Sequence, residues 1–220
     1  MSTRIRQDHP GLSPPDGADA RGAGGAMGPR AFRPLSACRM GWRFRGYLPH
    51  FDSPEIVQIV TFRLADSLPR SVYDEIARDR DKTRRNRRFD EILDEGQGGC
   101  TLLEPEAALL VARALHHFDD EHYRLFAWVV MPNHVHVLFE PLHEHRVGSI
   151  VKSWKSFTAK AINRRKKTSG RFWAPDYFDR FIRDEAHFTS ARFYIEQNPV
   201  KAGLAPSADA WPFSSADVKL

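Results

Sequence analysis

Three clusters of residues in this 220-residue chain have the types and spacing to do chemistry. In "MPNHVHVLFEP" (131–141), His134 and His136 flank a single valine just after Pro132 and Asn133, a turn-forming pair. Side chains two apart on a strand share a face, so both imidazoles project together while Val135, Val137 and Phe139 face the other way. Such a pair can share one divalent ion, or be two hydrogen-bonded structural histidines; two ligands alone are too few for a metal site. In "YIEQNP" (194–199), Tyr194 and Asn198 lie four apart on the flank of a helix whose core stripe is Phe188, Ala191 and Ile195. A phenol and an amide oxygen there could both reach a sheet, although an ordinary core-edge tyrosine has the same spacing. Gln197 points further round the helix, His187 lies on the same flank one turn or more earlier, and Pro199 disfavours helical geometry at Asn198.

The third cluster is basic. No acidic residue occurs between Arg146 and Arg171. Ile150, Trp154, Phe157 and Ala161 form one apolar stripe of a helix over 146–167, with Lys152, Lys155 and Lys166 on the opposite side. Arg164, Arg165, Lys167 and Arg171 extend the positive charge toward Phe172 and Trp173. Together they suit phosphate contact with base stacking, Trp173 being equally suited to plain core packing.

These residues need elements to hold them. "EIVQIVTFRLADSLP" alternates Val60, Phe62 and Leu64 with Thr61 and Arg63, the pattern of a half-buried strand. Residues 70 to 95 read as helix with a dense mixed-charge stretch, most simply a solvated face. Pro105 opens a second helix, with Leu110, Ala114 and Phe118 at helical spacing. "YRLFAWVVM" and "HVHVLFEP" form a hairpin, "YFDRFIRD" a short edge strand, and "EAHFTSARFYIEQN" a last helix stopped by Pro199. This order predicts an α+β domain, a ferredoxin-like or RRM-like antiparallel sheet with helices packed on it and the histidine pair on a central strand.

Composition narrows the class. Thirty-three Lys and Arg against 28 Asp and Glu give a net charge of +5 and a pI near 9.4, compatible with a polyanionic partner. Cys38 and Cys100 lie far apart and match no CxxC spacing, which argues against a disulfide framework or a cysteine zinc knot. No apolar run is long enough for a membrane span, and a cytoplasmic, nucleoid-associated protein is expected. Residues 1–30 are rich in Gly, Pro, Ala, Asp and Arg; a disordered tail is expected over 1–40, followed by one domain over 41–220.

In order along the chain, "RGYLPHFD", "VTFRLADSLP", "AWVVMPNHVHVLFEP", "FWAPDYFDRFIRDE", "YIEQNPVKAGL" and "WPFSS" resemble the motifs of the REP-associated tyrosine transposases, over roughly residues 45 to 215. The resemblance implies that the histidine-hydrophobic-histidine motif, His134 and His136, binds a divalent cation completed by Asn198, and that Tyr194 is the nucleophile. It implies transesterification of single-stranded DNA through a 5'-phosphotyrosine link at hairpin-forming palindromic repeats, by a monomer more readily than a dimer. Mg²⁺ or Mn²⁺ suits those ligands better than Zn²⁺. The charged stretch over 78–95 is not part of the family pattern. Two other readings stand beside this one: a DNA-binding module without catalysis, and a metal-dependent hydrolase in which water attacks.

Overall fold

The structure is a computed structural model that describes residues 42–44, 49–51, 55–79, 81–96 and 98–217. The tail expected over 1–40 lies outside the described residues, as does part of "RGYLPHFD". Strands β1 (Trp42–Phe44) and β2 (Pro49–Phe51) pair as a small antiparallel ribbon. The main sheet uses β3 (Gln58–Arg63), β4 (Tyr123–Val130), β5 (His134–Pro141) and β6 (Phe178–Phe181) in the order β4-β5-β3-β6, every neighbouring pair antiparallel. Helices α1 (Arg70–Ala77), α2 (Lys82–Asp94) and α3 (Pro105–His116) connect β3 to β4, α4 (Val147–Lys166) connects β5 to β6, and α5 (Glu185–Lys201) follows. Two interleaved strand-helix-strand crossovers of this kind make the ferredoxin-like α+β architecture, with the histidine pair on a central strand.

Helices cover both faces of the sheet. On one, Val135, Val137 and Phe139 of β5 join Val60 and Phe62 of β3 under α3 and α4. On the other, Leu138 joins Ile59, Val129 and the α5 residues Phe188, Ala191 and Ile195. Every residue of β3 and β5 is therefore buried, Thr61 and Arg63 included. The alternation in β3 predicted one solvated face; instead its polar positions point into a second covered layer.

Helix α4 departs from expectation at Phe157, which is 57% exposed. Its buried stripe runs through Ile150, Trp154, Thr158 and Ile162, steps of four that put Thr158 below Trp154 and turn Phe157 outward. Thr158 is satisfied there: Oγ1 donates to the Trp154 carbonyl at 2.7 Å and accepts from Trp173 Nε1 at 2.9 Å. Trp154 Nε1 donates to the Tyr123 hydroxyl at 2.9 Å, which donates to the Leu115 carbonyl at 2.8 Å. Burying side chains of this size contributes about 1.5–3 kcal/mol each.

The stretch read as one helix over 70–95 forms two. The carboxylate of Asp79 accepts from the Asp81 N–H at 2.9 Å and pairs with Arg84 at 2.6 Å, which starts a new helix after the break. Phe89 of α2 then packs against Tyr73 of α1 and Phe178 of β6. Helix α5 is capped by Asp184, which accepts from the His187 N–H at 2.7 Å. It runs through Pro199 to Lys201 rather than stopping at the proline, because near a C-terminus a proline removes little of the hydrogen-bond ladder. Asn198 therefore keeps its helical direction. Among the described residues no helix is long and apolar enough to cross a membrane.

Candidate metal and tyrosine site

Strand register builds the floor of the site. The β3–β5 pairing sets Thr61 opposite His136 and Arg63 opposite His134. Thr61 Oγ1 lies 2.7 Å from His136 Nδ1, and Asn133 Oδ1 lies 2.7 Å from His134 Nδ1. Each outer nitrogen is thus held by a neighbour, an arrangement that fixes ring orientation and leaves Nε2 for a ligand. The two Nε2 atoms lie 3.0 Å apart, close enough to share one proton or one cation. Both rings are fully buried. Burial holds His136 down to about 3 and His134 well below the ordinary histidine range, so both are neutral at pH 7.

Two further acceptors converge on them. Asp94, at the end of α2, has Oδ1 3.7 Å from His134 Nε2, while its Oδ2 accepts from Lys201 Nζ at 2.9 Å. The ligand atoms of Asp94, His134 and His136 all lie within 4.8 Å of one another. From α5, Asn198 sets Nδ2 3.5 Å from His136 Nε2. Exchanging its amide oxygen and nitrogen, which have the same shape, would present the oxygen instead. Asp94 Oδ1 and Asn198 Oδ1 are both buried without a hydrogen-bond partner. Each such group costs about 1–3 kcal/mol, which a cation bound between them would offset. Two imidazoles, a carboxylate and an amide therefore fit a divalent cation.

Tyr194 adjoins this cage, its ring meeting His136 edge-on at 5.5 Å between centroids. Its hydroxyl is buried and makes no aligned hydrogen bond, although Asp90, Asp94 and Asn198 are close enough to act on its charge. Burial first, then the two carboxylates, push the phenol well above its ordinary value. Burial also pushes the Asp90 carboxyl up to about 7. Lys201 Nζ stands 5.8 Å from the centre of the tyrosine ring.

His134, His136, Tyr194 and Asn198 are brought together; the basic residues are not. Lys152 and Arg164 are exposed on α4, and Lys167 just past its end; this helix packs on the other face of the sheet. Arg165 pairs with Glu106 and Lys166 with Glu104. Arg171 is exposed. Lys155 folds inward, Nζ donating to the carbonyls of Ala174 at 2.6 Å and Pro175 at 3.0 Å, and burial lowers it to about 8. Trp173 is buried against Phe62, so its ring is part of the core rather than a surface for bases. His187 sits in the first turn of α5, its ring accepting from the Arg183 N–H at 3.3 Å.

Sequence reasoning missed Asp90 and Asp94. They lie four apart in "RRFDEILDEG", each next to a buried apolar residue, Phe89 and Leu93. That spacing puts both on one helical flank beside the core stripe. The solvated reading fits the outer side of α2, where Arg87 pairs with Glu91 at 2.9 Å.

Fold and site define a ferredoxin-like α+β domain whose central strand, last helix and α2 bring a candidate cation cage up to a buried tyrosine. Residues 109–198 match the family described as IS200-like transposases, a span containing His134, His136, Tyr194 and Asn198. The REP-associated tyrosine transposase of Escherichia coli (strain K12) is 28% identical over 97 residues, 44% of this chain and 56% of that protein. The alignment thus spans little more than half of that relative. A solved structure of a REP-associated tyrosine transposase bound to a REP hairpin is 21% identical, with a TM-score of 0.46 over 80% of this chain and 82% of that one. The similarity to this family covers residues 109–198, less than half of the chain.

Proposed function

We propose that the protein is a metal-dependent single-strand DNA endonuclease and strand transferase, acting at hairpin-forming palindromic repeats through a 5'-phosphotyrosine intermediate. The observation that carries this reading is the convergence of two neutral imidazoles with the unpartnered Asp94 Oδ1 and the side-chain amide of Asn198, beside the ring of Tyr194. His134, His136, Asp94 and Asn198 would hold Mg²⁺ or Mn²⁺. When bound, such a cation supplies charge neutralisation at the scissile phosphate and at the departing oxygen.

The chain's own residues do the rest. The oxygen of Tyr194 attacks phosphorus, the bond to the 3'-oxygen breaks, and the strand is left with a free 3'-hydroxyl and a 5' link to the enzyme. A phenol with its pKa raised is a poor nucleophile until its proton is taken. Asp90 is the adjacent group suited to take it, since a carboxyl near 7 matches a base working at neutral pH. The bond energy stays in the phosphotyrosine, so rejoining needs no nucleotide cofactor. His134, His136, Asp94, Asn198 and Tyr194 meet within a single copy of the chain, so the acting form in this reading is a monomer.

Denaturing electrophoresis tests the proposal. Labelled single-stranded hairpin DNA and Mn²⁺ should yield a protein-DNA adduct that is absent with Tyr194→Phe. Cleavage that persists in Tyr194→Phe would instead indicate attack by water.

A further inference from the structure

A cavity of about 450 Å³ opens between α2 and the edge strand β6, and Tyr194 lines it. Arg87 and Glu91 of α2 form one wall, Phe178 and Arg180 of β6 the other, and Ile59 of β3 adds an apolar floor. The cavities beside α4 and beside Arg63 and Tyr73 are not lined by Tyr194. A phosphodiester that reaches Tyr194 must bring its flanking nucleoside along, and among the described residues this cavity, lined by Tyr194, has room for one. Its volume lies within the range of about 300–1,000 Å³ for small-ligand pockets, suited to a single nucleoside and too small for a duplex.

The lining suits a base better than a backbone. Arg87, Arg180 and Lys201 are largely offset by Glu91, Asp179 and the partly ionised Asp90, so the cavity carries little net charge to attract phosphates. Arg87 is already paired with Glu91 at 2.9 Å. Phe178 packs against Phe89 at 4.2 Å between centroids and also lines the cavity, where it can support a base. Arg180 is exposed on the edge strand, with its guanidinium available to a base edge.

We infer that this cavity is a single-base specificity subsite, in which the base flanking the cleaved bond rests on Phe178 and is read by Arg180. The inference builds on the transesterase reading above. A guanidinium donating in parallel to O6 and N7 selects guanine, and no other base offers that pair of acceptors.

Titration of the full chain with each of the four deoxynucleoside 5'-monophosphates, followed by amide chemical shifts, tests this without any cleavage. We expect dGMP to shift the amides of Phe178, Arg180 and Arg87 and to bind about tenfold more tightly than the other three. Arg180→Ala should remove the preference. Arg180→Lys, which keeps the charge but not the fork, should remove it as well. Equal affinity for all four nucleotides, shifts confined to other parts of the chain, or a preference that survives both variants would overturn the subsite. Adduct formation by a protein with an unselective cavity would refute this inference alone, whereas a guanine-selective cavity in a protein that forms no adduct would refute the transesterase reading alone.

Discussion

The two faces of the central sheet handle their clustered buried polar groups differently, although Gln58 on the α3 and α4 side also has both amide atoms buried without a partner. Under α3 and α4, Trp173, Thr158 and Trp154 are tied into hydrogen bonds, and the chain of partners continues through Tyr123 to a backbone carbonyl. Under α2 and α5, the Tyr194 hydroxyl, Asp94 Oδ1 and Asn198 Oδ1 are buried with no partner. A satisfied polar core rigidifies a fold, whereas clustered unsatisfied acceptors cost stability and persist where something else is meant to bind. One face therefore holds the domain together and the other carries the proposed chemistry. Both are served by the same strand, since alternate residues of β5 point to alternate sides.

That contrast can be broken at several points. The largest effect should follow Tyr194→Phe, which we expect to reduce adduct formation by about 10³-fold or more while leaving the fold intact, as single-turnover cleavage and circular dichroism would show. Trp154→Ala should do the reverse, destabilising the protein by about 3–5 kcal/mol in denaturant unfolding because it empties the centre of the aromatic cluster. Asp94→Asn separates function from stability on the site face. We expect Mn²⁺ affinity by calorimetry to fall about 10–100-fold, with metal-free thermal stability unchanged or slightly higher, since a poorly solvated carboxylate is removed.

Acid should act on the site face, and alkali on buried phenols of both faces. His134 and His136 are held below their unfolded value of about 6.5, so the unfolded chain takes up protons first as pH falls. Their contribution is complete above 6.5 and is lost toward 3, by up to about 1.4 kcal/mol per pH unit for each ring. On the other face, burial pushes Tyr123 up to about 12, above an unfolded value of about 10. Its contribution is complete below 10 and is lost as pH rises toward 12. Unfolding midpoints across both windows, in wild type and in Tyr123→Phe, check the assignment: the variant should weaken the alkaline dependence, leaving the part due to Tyr194 and Tyr73, and keep the acid one. The smallest effect should come from Phe157→Ser, within about 0.5 kcal/mol of wild type, because that ring faces solvent.

How much of this was legible in the sequence follows from the range of each signal. The pairing of His134 with His136 is a two-residue strand relation and that of Tyr194 with Asn198 a one-turn helix relation, so both could be read locally. The fold class followed from the order of elements. Asp90 and Asp94 were hidden because a charged helix looks solvated until its flank is found against a sheet, a contact no local pattern encodes. Thr61 was hidden for a similar reason, as strand register across 75 residues brings it to His136. Phe157 left its expected buried stripe because steps of four along α4 carried that stripe to Thr158, and of the two roles open to Trp173 the structure has core packing, its ring closing over Thr158.

The central claim is that the α2 and α5 face is built around a cation. Crystals soaked in Mn²⁺ and measured for anomalous scattering test it most directly. A peak bonded to Nε2 of His134 and His136 and to oxygens of Asp94 and Asn198, lost in His136→Ala, is the predicted result. Well-ordered crystals with no peak between those residues, or with manganese bound only elsewhere on the chain, would contradict it.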